Sequence, residues 1–185
     1  GVRKTDKEAI RQFLGSCTYP LYFLDYETFA SVIPAFDGLR PYQAVPFQYS
    51  LHVIDHEGAK PRHLEYLHAD NSNPVQPLLE QLSRDIGDDG SVVVWYAPFE
   101  TGRNRDMAAL SPEHEKFLHN VNDRVVDLMQ PFKSGWIVDK DFLGSASIKK
   151  VLPVLVPDLS YAELDIASGD VAQIQWMNAV LQDRT

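Results

Sequence analysis

Residues 20–30 read PLYFLDYETFA, an apolar and aromatic run that carries Asp25 and Glu27 in its middle. The composition predicts a strand over about residues 20–27. Alternation along a strand puts Phe23, Asp25 and Glu27 on one face and Leu24 and Tyr26 on the other. A buried carboxylate without a partner is costly. Two side by side also repel, unless a proton or a cation sits between them. Oxygen-only ligation of this kind suits Mg²⁺ or Mn²⁺. On spacing alone, a solvated sheet face or pairing with Arg or Lys is the favoured reading, since D-x-E in a strand is a weak signal.

Outward from this stretch, Thr5 and Glu8 have capping-box spacing ahead of AIRQFL and predict a first helix. A Pro- and Gly-containing loop follows the strand. FQYSLHVID then alternates as a second strand, and RHLEYLHA reads as its antiparallel neighbour. Asn73 and Pro74 predict an N-cap and a first-turn proline for a helix running to about Asp88. SVVVWYA is a continuous β-branched run of the kind buried on both faces. PFETGRNRDMAAL and SPEHEKFLHNV read as helices, and RVVDLMQPF fits strand or helix. SIKKVLPVLV predicts a short helix, and VAQIQWMNAVLQ has helical apolar spacing at Val171, Ile174, Met177 and Leu181. The expected fold class is α/β, a layered fold of ribonuclease H-like organisation with a mixed central sheet and helices on both faces.

The chain has 185 residues, 44% hydrophobic and 23% charged, which suits one globular domain over residues 1–185. It opens at Gly1 without a methionine, as an excised domain would. No apolar stretch approaches the length of a membrane span and no signal-peptide pattern opens the chain, so no membrane partner is expected. The lone Cys17 excludes an internal disulfide and a cysteine-based zinc site, and a reducing cytoplasm is the expected location. The six histidines lack zinc-site spacing, and there is no G-x-S-x-G or Walker-type loop. A net charge of −9 argues against a basic nucleic-acid coat protein. It is compatible with an acidic site that gathers divalent cations.

The SVVVWYA strand leads into PFETGRNRDM, which places Glu100 near the start of a helix just past a strand end. Ligand sites of open α/β sheets lie at such strand ends. A first-turn acid also simply complements the helix dipole. Arg103 and Arg105 on that helix face either phosphates or solvent, and Tyr26 or Phe29 could stack a terminal base.

FLDYETF resembles the first motif of the DEDD exonuclease superfamily, and WYAPFETGRNRDM its second. Taken in order, FLDYETF, RPYQAVPFQYSLH, VVVWYAPFE, RVVDLMQPF and GSASIKKVLPVLVPDLSYAEL resemble one bacterial family of domains of unknown function. That family has the ribonuclease H-like fold and often follows a RecB-like nuclease domain, so a fused or associated RecB-like domain is an implied partner. The resemblance implies a metal-dependent 3′–5′ exonuclease acting on single-stranded DNA or RNA, with two Mg²⁺ or Mn²⁺ ions in the complete domain. It makes Asp25, Glu27 and Glu100 catalytic metal ligands, with Glu100 standing where the superfamily usually has Asp. Tyr96 and Ala97 stand for its usual His-Asn pair. Arg103, Lys149 and Lys150 are implied substrate contacts, beside Tyr26 and Phe29. Asp127 matches a recurrent Asp whose role is more often structural. Tyr161 and Asp165 have the spacing of the final motif but read as a decoy, and Asp170 is a weaker stand-in. The chain is therefore expected to stop before its fourth carboxylate. Two other classes stay open: a ribonuclease H-like module that binds or guides nucleic acid without catalysis, and an oligomerisation scaffold with solvated carboxylates. The oligomeric state is not readable from the sequence.

Overall fold

A computed structural model describes residues 3–159 and 169–181. The segment holding Tyr161 and Asp165 lies outside the described residues. A short strand β1 (Lys4–Thr5) pairs with β7 (Ile137–Val138) at the edge of the molecule. Helix α1 (Lys7–Gly15) follows, and its N-cap is Asp6, whose carboxylate accepts from the Ala9 N–H at 3.0 Å. The expected cap at Thr5 is thus displaced by one residue, because Asp6 is a stronger acceptor and lies nearer the first turn.

The main sheet contains β2 (Leu21–Phe29), β3 (Val45–Ile54), β4 (Arg62–Leu67), β5 (Ser91–Val94) and β6 (Val125–Asp127), in spatial order β4-β3-β2-β5-β6. The first three are antiparallel neighbours, while β5 runs parallel to both β2 and β6. The result is a layered α/β fold on a mixed sheet. All four residues of β5 are buried, as expected for a strand covered on both faces.

One sheet face is closed by helices α2 (Val75–Asp85), α3 (Ala97–Leu110) and α4 (Glu115–Asp123). Leu78, Leu79 and Leu82 of α2 and Leu118 and Val121 of α4 join Leu24, Leu51 and Val92 in the core. Each fully buried leucine contributes about 1.5–3 kcal/mol over its exposed state. The N-cap of α2 is Pro74 rather than Asn73, whose side chain instead accepts from the Val75 N–H at 3.0 Å across the entry turn, and the helix ends at Asp85 rather than near Asp88.

A short helix α5 (Gln130–Lys133) precedes β7, and α6 (Ile148–Leu155) approaches the other sheet face, where Ile148 lines a crevice with Phe23 and Asp25. The last helix, α7 (Gly169–Val180), packs on β2 through Trp176, whose ring lies 4.8 Å from Phe29 and 4.6 Å from Phe47. The face of α7 differs from the expected stripe. Val171 and Ile174 are exposed, whereas Ala172, Trp176 and Leu181 are buried. The aromatic dock on Phe29 and Phe47 selects the Trp176 side of a helix that is apolar on more than one face. Among the described residues no helix is long and apolar enough to cross a membrane.

Candidate carboxylate site

Strand pairing sets the site. Parallel contact between β2 and β5 covers only Leu21–Phe23 opposite Ser91–Val93. Beyond it β2 continues through Asp25 and Glu27, while the other chain turns away after Val94. The turn is fixed at Tyr96, held in the left-handed region at φ 79°. That conformation is costly for a non-glycine residue. One carboxylate oxygen of Asp127 holds it, accepting from the Tyr96 and Met129 N–H groups at 2.9 Å each. Asp127 is therefore a brace between β6 and the start of α3. Lys133 stands over the Tyr96 ring at 4.9 Å.

Helix α3 starts beside the protruding part of β2. Its buried residues are Glu100, Asn104, Met107 and Ala108, a helical stripe that is polar in its first half. Asn104 explains part of that polarity: it accepts from the Tyr26 hydroxyl at 2.9 Å and donates to Asn122 at 2.8 Å. Asn122 in turn donates to the Thr101 carbonyl at 3.3 Å, which closes a network joining β2, α3 and α4.

Glu100 is satisfied at only one of its two oxygens. Only 2% of it is exposed, and its Oε2 makes no hydrogen bond. Burial, aided by the negative charges of Asp25 and Glu27, pushes its pKa up to about 9, while Arg103 and the Tyr26 main-chain N–H pull the other way. Asp25 reaches solvent, but the crevice walls crowd it and burial raises its pKa. Glu27 is half-buried and is raised by burial and then by Asp25, against the opposing pull of Lys149. The three acids from β2 and α3 thus share one electrostatic environment. Among the described residues, no group of three or more His, Cys, Asp or Glu side chains is drawn together in an arrangement that could hold a metal ion.

Asp25 opens into a crevice of about 320 Å³ lined also by Phe23, Ser50, His52, Trp95 and Ile148. Register explains the company: Asp25 lies opposite Ser50, and Phe23 opposite His52. Sequence reasoning missed Ser50 as a wall of the site, because alternation gives a face but not a cross-strand partner. His52 stacks on His63 of β4 at 4.2 Å, so both histidines are strand residues on this face.

The other site candidates divide. Lys149 acts on Glu27 from an exposed position on α6, and Lys150 beside it is also exposed. Arg103 donates to Asp106 at 2.9 Å and lies 5.3 Å from the Phe99 ring. Asp170 is exposed in the first turn of α7. Tyr26 and Phe29 are corrections: they are 3% and 1% exposed, so neither offers a ring face to a base. Tyr26 points into the core by alternation. Phe29 would share the face of Asp25, but a register shift between Glu27 and Thr28 reverses the parity and sends it into the core.

A layered α/β protein with a crevice beside Asp25 at the end of its parallel strand is the class these features define. Residues 22–147 match the family described as Domain of unknown function (DUF2779), and the chain belongs to that family. No curated protein and no solved structure matches the chain.

Proposed function

We propose that the domain is a metal-dependent phosphodiester hydrolase of the ribonuclease H-like, DEDD exonuclease type. It acts from the 3′ end of single-stranded DNA or RNA. The observation that carries this reading is Glu100: a buried acid with an unpartnered oxygen, repelled by Asp25 and Glu27 from the neighbouring strand. Such an arrangement is costly for folding unless a proton or a cation relieves it, and a bound cation would let all three acids ionise. The donor set is all oxygen, which fits Mg²⁺ or Mn²⁺. Asp25, Glu27 and Glu100 would hold the metal, with a further carboxylate completing the set. When bound, the metal supplies a lowered pKa for the attacking water and neutralises developing charge on phosphate oxygens. Asp127 and the Asn104 network orient the α3 turn that carries Glu100, and Lys149 tempers the charge on Glu27. Fusion to a RecB-like nuclease domain would let the two modules process one strand.

The test is nucleotide release from end-labelled single-stranded DNA and RNA in Mn²⁺ or EDTA. Wild type should release nucleotides only with Mn²⁺, and Asp25→Asn should abolish release. Full activity in Asp25→Asn would remove the proposal. A second reading, a non-catalytic module that guides nucleic acid, is favoured by the lack of a metal-ready cluster among the described residues. It predicts strand binding without dependence on Mn²⁺ and no release.

A further inference from the structure

The loop between β2 and β3 meets the flank of α3 around a polar pocket of about 260 Å³, lined by Arg40, Tyr42, Gln43, Arg103 and Asp106. Two guanidinium groups share one carboxylate there: Asp106 accepts from Arg103 at 2.9 Å and from Arg40 at 3.3 Å. The cluster therefore carries one positive charge in excess, within a chain of net charge −9. The Nε of Arg103 is buried without a hydrogen-bond partner. A charged donor in that condition loses its solvation and gains nothing for it.

Glu100 lies one helical turn away on the same helix, roughly 4.5 Å along its axis. Its Oε2 is the other buried side-chain atom without a partner among the described residues. One orphan is an acceptor and the other a donor. Both atoms are closed to solvent, so a phosphodiester beside a cation would satisfy both once the Arg103 side chain turns its Nε–H into the pocket that it already lines. Arg40 is available to join it. Its side chain is 75% exposed, and its contact with Asp106 is a single long surface pair that a phosphate can displace. The loop beneath is ordered by its own bonds: Arg40 N–H donates to Gln43 Oε1 and Tyr42 N–H to the Ser31 carbonyl, both at 2.9 Å.

We propose that Arg40 and Arg103 form a phosphate subsite for the backbone of a single strand, seating the phosphate next to the one that approaches Glu100. This rests on the hydrolase reading above. The subsite fixes the register of the strand without reading its bases, as backbone contacts do. Guanidinium groups suit the task, because their fork matches two phosphate oxygens.

The experiment is fluorescence anisotropy of a labelled oligothymidylate of twelve nucleotides, with Ca²⁺ and with EDTA, across a salt series. Wild type is compared with Arg40→Gln and Arg103→Gln, and the probe with a methylphosphonate oligothymidylate of uncharged backbone. Each substitution should weaken the charged probe about tenfold and reduce the slope of log affinity against log salt by about 0.7. Binding of the uncharged probe should not change. Arg40→Gln is the decisive variant, because that side chain is exposed and its loss leaves the core intact. Equal affinity and slope in wild type and both variants would overturn the subsite, even if Mn²⁺-dependent release persisted. An effect of Arg103→Gln alone would overturn it too, since it would place the arginine's role at Glu100. No binding by wild type in either condition would do the same. Weakened binding by both variants, with no nucleotide release from any protein in Mn²⁺, would keep the subsite and remove the hydrolase.

Discussion

Glu100→Gln separates the cost of the site from its use. The folded carboxyl titrates at about 9, against 4.5 for an unperturbed glutamate. Because the folded pKa is raised, the folded state binds a proton that the unfolded chain gives up above pH 4.5. Glu100 therefore leaves stability untouched in acid and lowers it steadily as pH rises towards 9. At pH 7 the penalty is about 3 kcal/mol, from about 1.4 kcal/mol per pH unit over the interval above the unfolded pKa. At pH 5.5 it is about 1 kcal/mol by the same relation. The buried amide of Gln brings its own desolvation cost, of about 1–3 kcal/mol, but that cost does not vary with pH. The decisive quantity is thus the difference between the two proteins as pH changes. Urea unfolding in EDTA at pH 5.5, 7 and 8.5 should show the variant gaining on wild type by about 1.4 kcal/mol per unit. In melting temperature, the gain from pH 5.5 to 7 corresponds to about 4–8 °C for a chain of this size. Asp25 and Glu27 titrate in the same field, so the wild-type slope belongs to the cluster, and subtraction isolates the Glu100 share. Mn²⁺ should then raise the wild-type melting temperature more than that of the variant. Parallel stability curves across this pH range would refute the claim that Glu100 is held in the fold at an electrostatic cost.

Asp127→Ala should lose about 1–3 kcal/mol, since it frees two N–H groups and the left-handed Tyr96, whereas Asp127→Asn, which keeps the acceptor, should melt near wild type. Asn104→Leu should cost a similar amount, about 1–3 kcal/mol, by stranding the Tyr26 hydroxyl and the Asn122 amide, and chemical denaturation measures it. Gly90→Ala should be more damaging than an ordinary loop change, because at φ 83° an added Cβ collides with the Pro20 carbonyl; a melting temperature equal to wild type would contradict the close approach. Trp176→Ala should cost about 3–5 kcal/mol and release α7 from β2, seen as faster amide exchange in residues 169–180.

Much of the fold was legible because each main strand carries its own pattern. β2 and β3 alternate, and β5 carries three consecutive valines, which announced a strand covered on both sides. The misassignments have separate physical causes. Asp6 outcompeted Thr5 by position, and the bulge after Glu27 inverted the parity that would have exposed Phe29. The apolar residues of α7 fit two stripes, between which only the aromatic dock of Trp176 decides. The polar half of the α3 stripe was legible in principle: stepping back from Met107 and Ala108 by helical intervals reaches Asn104 and then Glu100. What local pattern does not carry is that Glu100 feels the charge of Asp25, which depends on the lengths of two strands. β5 pairs in parallel with the first three residues of β2 and stops soon after, while β2 runs on for six more residues. The chain leaving β5 must turn off beside Asp25, where Trp95 lines the same crevice, and the first buried position of the next helix falls within the field of that carboxylate. A glutamate at that position, where burial alone would call for leucine, is a choice that folding stability does not explain, since one of its oxygens is buried without a partner.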